Sequence, residues 1–182
     1  MLRRPDRRPA GVSLAEMLVV VAILSVAVAL VIPQASSTAP QVVDAAAAEV
    51  ARAVRFAQRE ALRTGSFQLV SIDPATQKLR VYTPNASGGA TTLHPVDKRD
   101  YEISFGKSGA PGATIVSAVF EYDKGATTNY ISFTPDGSPG DMHQFLVTTD
   151  IDPLKEDGIV TLRYGNAQRV IRVAPVTGRV TF

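Results

Sequence analysis

The sequence predicts an α+β chain: a long N-terminal hydrophobic α-helical stalk packed on an antiparallel β-sandwich-like head. Three observations carry this. An uncharged apolar run from Met17 to Ile32 follows a short basic leader and is closed by Pro33. From Val43 to Leu62 apolar residues recur at helical spacing. After Gly65 the periodicity changes to two, with turn residues at the breaks. A long helix followed by many short strands is an α+β pattern, and 182 residues leave room for one domain beside the N-terminal segment. The expected organisation is a leader at 1–11, a membrane half of the stalk at 12–33, an outer half at 34–65 and a β-rich head at 66–182.

The leader comes first. Residues 1–11 hold Arg3, Arg4, Arg7 and Arg8 against Asp6. Without them the chain's 19 basic and 17 acidic residues become 15 and 16, a net charge of −1. The rest of the chain is therefore not a nucleic-acid binder by overall charge. The leader reads as a topology signal that keeps the N-terminus on the cytoplasmic side, with the membrane surface as its partner.

Residues 12–32 as a helix would be about 32 Å long at ~1.5 Å per residue, enough to span a bilayer core. Their apolar residues cover the whole circumference, which excludes a soluble core helix. Glu16 is alone among them, and a carboxylate there is costly to bury, so it points to function. One reading is a secretory signal peptide, with Ala35 and Ser37 at the cleavage site and a released chain starting at Thr38. The other follows from Gly11 and the lone acid Glu16, which resemble the type IV prepilin signature. Val12, Ser13 and Ala15 stand where that family usually has phenylalanine, threonine and isoleucine. The resemblance implies cleavage by a prepilin peptidase between Gly11 and Val12, N-methylation of Val12, and a helix that stays attached. It also implies a bend at Pro33 and a register role for Glu16, whose carboxylate would pair with a neighbour's new amino terminus. The charge inside the apolar run, Pro33 at its end and the helical pattern beyond it favour this second reading.

In the outer half, Val43, Ala47, Val50, Val54, Ala57 and Ala61 alternate steps of three and four and form one seam. Arg52, Arg55, Arg59 and Arg63 lie on another face. That stripe is open to three readings: a subunit contact, a phosphate-binding face, or a solvated face partly neutralised by Glu49 and Glu60, the last being preferred. Gly65 is the stop. The expected strands are Phe67–Ile72, Leu79–Thr83, Tyr101–Phe105, Thr114–Tyr122, Tyr130–Thr134, Phe145–Thr149, Ile159–Tyr164, Arg169–Val173 and Arg179–Phe182. A hairpin joins Ile159–Tyr164 to Arg169–Val173 through Gly165–Gln168.

The stretch Arg55-Phe-Ala-Gln-Arg-Glu-Ala-Leu-Arg-Thr-Gly65 resembles the stalk end of the H-type minor pseudopilins of type II secretion and the related FimT-like minor pilins. Ile131-Ser-Phe-Thr-Pro-Asp-Gly137 is similar to that group's central turn, and Thr177-Gly178-Arg179 to its closing tip. The resemblance implies a structural subunit, not an enzyme, that needs no cofactor. Its place would be the inner membrane, single-pass, with the C-terminal head in the periplasm. Its partners would be the major pseudopilin, other minor pseudopilins, the prepilin peptidase and exoprotein substrates. The alternative, a FimT-like minor pilin of a type IV pilus contributing to DNA uptake, rests on a patch of Arg163, Arg169, Arg172 and Arg179. The second arginine of that group's DNA-contacting tip is missing at Thr181, and nucleic acid is not expected as a partner.

Other chemistry is thin. The absence of cysteine excludes disulfides, a cysteine nucleophile and cysteine-ligated zinc. His94 and His143 lack metal-pair spacing and read as loop or strand-end residues. Gly106-Lys107-Ser108 lacks the first glycine of a phosphate loop, and Ser104–Lys107 lacks the companions of a serine–lysine site. The acidic loop Asp150, Asp152, Glu156 and Asp157 is a weak calcium candidate whose plainer reading is a solvated turn guarding an edge strand.

Overall fold

The computed structural model describes residues 13–31, 38–84, 89–96, 98–106, 112–125, 127–142 and 151–182. The leader, Pro33 and the expected strand Phe145–Thr149 lie outside them. The chain forms two units, Met1–Thr38 and Ala39–Phe182. Among its described residues the first carries helix α1 (Leu14–Val31).

The second unit opens with α2 (Thr38–Thr64). Pro40 falls in its first turn, where a missing N–H costs nothing. The helix ends where the Gly65 N–H bonds the Ala61 carbonyl at 2.9 Å. The six seam residues are all buried, joined by Ala46, Ala51 and Ala53. These small side chains form one core with both sheets.

The first sheet has the order β3 (Ala90–Thr91), β2 (Lys78–Thr83), β1 (Gln68–Asp73), β7 (Tyr130–Phe133), with β4 (Glu102–Ser104) also on β2. The second has the order β12 (Val180–Thr181), β11 (Ala167–Val173), β10 (Gly158–Tyr164), β5 (Thr114–Glu121), β6 (Thr127–Thr128). A two-stranded ribbon pairs β8 (Gly140–Met142) with β9 (Ile151–Pro153). All pairings are antiparallel. One core joins the α2 seam to Val70, Ile131 and Phe133 of the first sheet and to Phe120, Leu162 and Ile171 of the second. Gln77 ties the sheets together: its side chain bonds the Ile115 N–H at 2.7 Å and the Ile115 carbonyl at 2.9 Å.

The structure refines the expected elements. Tyr164 pairs directly with Ala167, so the β10–β11 turn has only two residues and β11 starts earlier than expected. Strands β3, β6 and β8 were not expected, because two or three residues show no periodicity. The acidic loop is not a solvated turn throughout, since Ile151–Pro153 is strand β9.

The central turn and the closing tip both dock on α2. The Gln58 amide donates to the Gly137 carbonyl and the Thr177 carbonyl, each at 2.8 Å. Arg55 donates to the Val180 carbonyl at 3.2 Å. At each turn the glycine is required. Gly137 has φ +81°, and a Cβ there would lie 2.9 Å from Leu62 Cγ. Gly178 has φ +65°, and a Cβ would lie 2.8 Å from the Gln58 amide nitrogen and 2.9 Å from the Phe133 ring. Gln58 can swing aside, whereas the buried Phe133 ring cannot.

Within the central turn Asp136 accepts from Thr134 Oγ1, and from Ser138 Oγ at 2.7 Å and the Ser138 N–H at 3.2 Å. These bonds, led by Thr134, hold its carboxyl down to about 2. The folded value lies below the ordinary carboxylate range. The turn's contribution is therefore complete above the unfolded pKa and lost as pH falls through about 2.

Two predictions follow from this docking. Gly178→Ala lowers stability by about 1–3 kcal/mol, and Gln58→Ala by about 1–2 kcal/mol, in thermal unfolding of the full chain in detergent. Carboxyl NMR gives an Asp136 midpoint near 2, and Thr134→Val moves it upward; a midpoint in the ordinary range would contradict the bonding.

Candidate assembly site

Helix α1 begins at Ser13, whose carbonyl accepts the N–H groups of Glu16 (3.0 Å) and Met17 (3.2 Å). Residues 14–27 are all exposed. Leu14 is 78% exposed, Ile23 63% and Val26 62%, and the nine large apolar side chains point in every direction around the axis. Glu16 is exposed among them in the first turn. Eighteen residues make a helix of about 27 Å, short of the ~30 Å of a bilayer core. Among the described residues no helix is long and apolar enough to cross a membrane. Gly11, Val12 and Pro33 lie outside the described residues.

The arginine stripe of α2 divides its work. Arg52 pairs with Glu49, and Arg63 with Glu60 at 2.5 Å. Arg55 holds the Val180 carbonyl, and Arg59 Nε donates to the Arg55 carbonyl at 3.2 Å.

The four C-terminal arginines do not converge. Arg169 lies opposite Leu162, on the core-facing side, and its guanidinium meets Asp44 of α2 at 2.5 Å. Arg163 and Arg172 lie on the other face, paired with Gln168 and Ile159. They stand at opposite ends of the hairpin, about 13 Å apart at ~3.3 Å per residue. Arg172 faces Thr181, which brings Arg179 to the same end of the sheet.

In the acidic loop Asp152 is buried, and both its carboxylate oxygens accept the Lys124 N–H, at 3.0 and 3.2 Å. Its cross-strand neighbour Asp141 is also buried and accepts the Tyr130 hydroxyl at 2.8 Å. Burial, reinforced by that carboxylate, pushes the Tyr130 phenol up, so it stays protonated and donates. Lys155 pairs with Glu121 at 2.6 Å, and Glu156 and Asp157 are exposed. Asp150 and His143 lie outside the described residues. Among the described residues no group of three or more His, Asp or Glu has the geometry to hold a metal.

One cluster was missed. Phe56 of α2 stacks on Tyr101 with centroids 5.0 Å apart, and His94 sits 4.8 Å from Tyr101. Burial raises the Tyr101 phenol. Phe56, off the alanine seam, was the available signal. Nothing in the sequence marks the loop that carries His94 as its neighbour.

A family model described as type II transport protein GspH matches residues 46–177. A model of the prokaryotic N-terminal methylation motif matches residues 6–32, which include Gly11, Val12 and Glu16. No curated protein and no solved structure gives a significant match. The first match takes in α2 from Ala46 onward, the central turn, the closing turn as far as Thr177 and most of the two sheets, well over half of the chain, and the chain therefore belongs to the GspH family of type II transport proteins, the minor pseudopilins of type II secretion.

Proposed function

We propose that α1 and its flanking residues are kept after processing as both membrane anchor and assembly surface of this pseudopilin. In this reading the prepilin peptidase cuts between Gly11 and Val12, and Val12 is methylated. The helix stays in the inner membrane as a single pass, bent at Pro33, with the head in the periplasm. The major and other minor pseudopilins pack against it in the pseudopilus, which moves exoproteins outward. The role is structural and needs no cofactor.

One observation carries the reading: an apolar helix whose described side chains are exposed on every side, with a single carboxylate in its first turn. Leaving nine large apolar side chains in water would cost on the order of 10–25 kcal/mol. Lipid or neighbouring helices must cover them. In that setting Glu16 needs a cation, and the new amino terminus of a neighbour's Val12 supplies one. The pair also fixes axial register, as a buried polar residue does in a coiled coil.

Two measurements test this. In cells, Glu16→Ala leaves cleavage intact but lowers cross-linking to other pseudopilins, and exoprotein export, by about ten-fold or more, since removing one partner of a buried ion pair costs on the order of 3–5 kcal/mol. Full assembly by that variant would remove Glu16 from the mechanism. The family match does not favour the DNA-uptake alternative, and Arg169 is already paired with Asp44. A low-salt gel shift with duplex DNA therefore shows no retained band; salt-sensitive retention lost in Arg172→Ala would revive that alternative.

A further inference from the structure

A groove runs along the open face of α2, walled by the loop between β3 and β4. It has two lobes of about 440 and 610 Å³ that share Phe56 and Pro95. Its floor is the Phe56–Tyr101–His94 cluster, in which Tyr101 is buried and Phe56 and His94 are half-buried. Leu93 (54% exposed) and Val96 (82% exposed) flank it on the loop. The loop is held closed by its own backbone: the His94 N–H bonds the Arg99 carbonyl at 2.7 Å and the Lys98 N–H bonds the His94 carbonyl at 3.1 Å. Lys98 is held left-handed at φ +57°, a conformation costly for a side-chain-bearing residue.

Among the described residues the charges around the groove are unequal. Arg52 and Arg63 are neutralised by Glu49 and Glu60. Arg59 and Lys98 form no ion pair among the described residues. Aromatic and apolar residues rimmed by arginine make up the usual centre of a protein–protein contact. The surplus cations select an anionic occupant.

We propose that this groove binds an acidic polypeptide segment of another pilin-like subunit, with an apolar side chain seated between Phe56 and Val96 and a carboxylate on Arg59. The proposal rests on the assembly reading above and names the surface that reading leaves open on the head. A second copy of this chain fits less well. Of its own acidic loop, Asp152 is buried and Lys155 stands in the middle.

The test uses the full chain in its native membranes, with a photoreactive benzoylphenylalanine at Val96 and, in a second strain, at Val19 of α1. The Val96 probe is expected to cross-link another pilin-like subunit at a peptide with Asp or Glu within three residues of the link. Arg59→Glu lowers the yield about five-fold, the worth of one partly exposed ion pair, and reversing the charge of the partner acid restores it. Lys98→Glu, on the opposite wall, serves as the second variant. A link to a second copy, a link to a segment without an acid, or a yield indifferent to both charge reversals overturns the proposal. A silent Val96 beside a productive Val19 overturns the groove and leaves the assembly reading intact. A silent Val19 beside a productive Val96 does the reverse, and silence at both sites overturns both.

Discussion

The alanine seam of α2 is the constraint on which the head depends. Ala46, Ala47, Ala53, Ala57 and Ala61 are fully buried and place the helix in one core with both sheets. Around that core, polar side chains of α2 reach distant parts of the chain. Asp44 meets Arg169 across 125 residues of sequence, and Gln58 touches two separate turns. A larger side chain at any of these seam positions would push the sheets outward and break several of these contacts together. The two motif glycines belong to the same docking, because a Cβ at Gly137 would meet Leu62 of α2 and one at Gly178 would meet the Phe133 ring as well as Gln58.

The two helices meet opposite demands. α2 is amphipathic and finds its cover within its own unit. α1 is apolar on all sides, and its described side chains find no cover. Burial drives folding in the first case and association in the second, by the same transfer free energy. A helix whose cover must come from lipid or from other subunits fits a filament protein held in a membrane. In the proposed assembly its one carboxylate distinguishes one packing register from another.

Much of this was legible because it is periodic or conspicuous. The α2 seam repeats at helical spacing, the long strands alternate, and Glu16 is a lone charge in an apolar run. What was not legible depends on tertiary proximity. Strands β3 and β6 form where the longer β2 and β5 offer an edge, and β8 and β9 form only on each other. Asp152 reads as one carboxylate of a solvated loop, yet the Lys124 N–H satisfies it in the interior. Arg169 reads as one of a basic cluster, yet strand parity turns it toward α2 and away from Arg163 and Arg172. The groove beside Phe56 is built by a loop whose position nothing in its own residues declares.

The account stands or falls on whether the apolar helix remains part of the working protein. The direct measurement is the intact mass and N-terminal peptide of the chain recovered from native membranes. The account predicts a protein that begins at Val12 and is one methyl group heavier than the bare sequence. A soluble protein beginning near Thr38 would contradict it: α1 would then be a discarded export signal, and Glu16 would have no part in assembly.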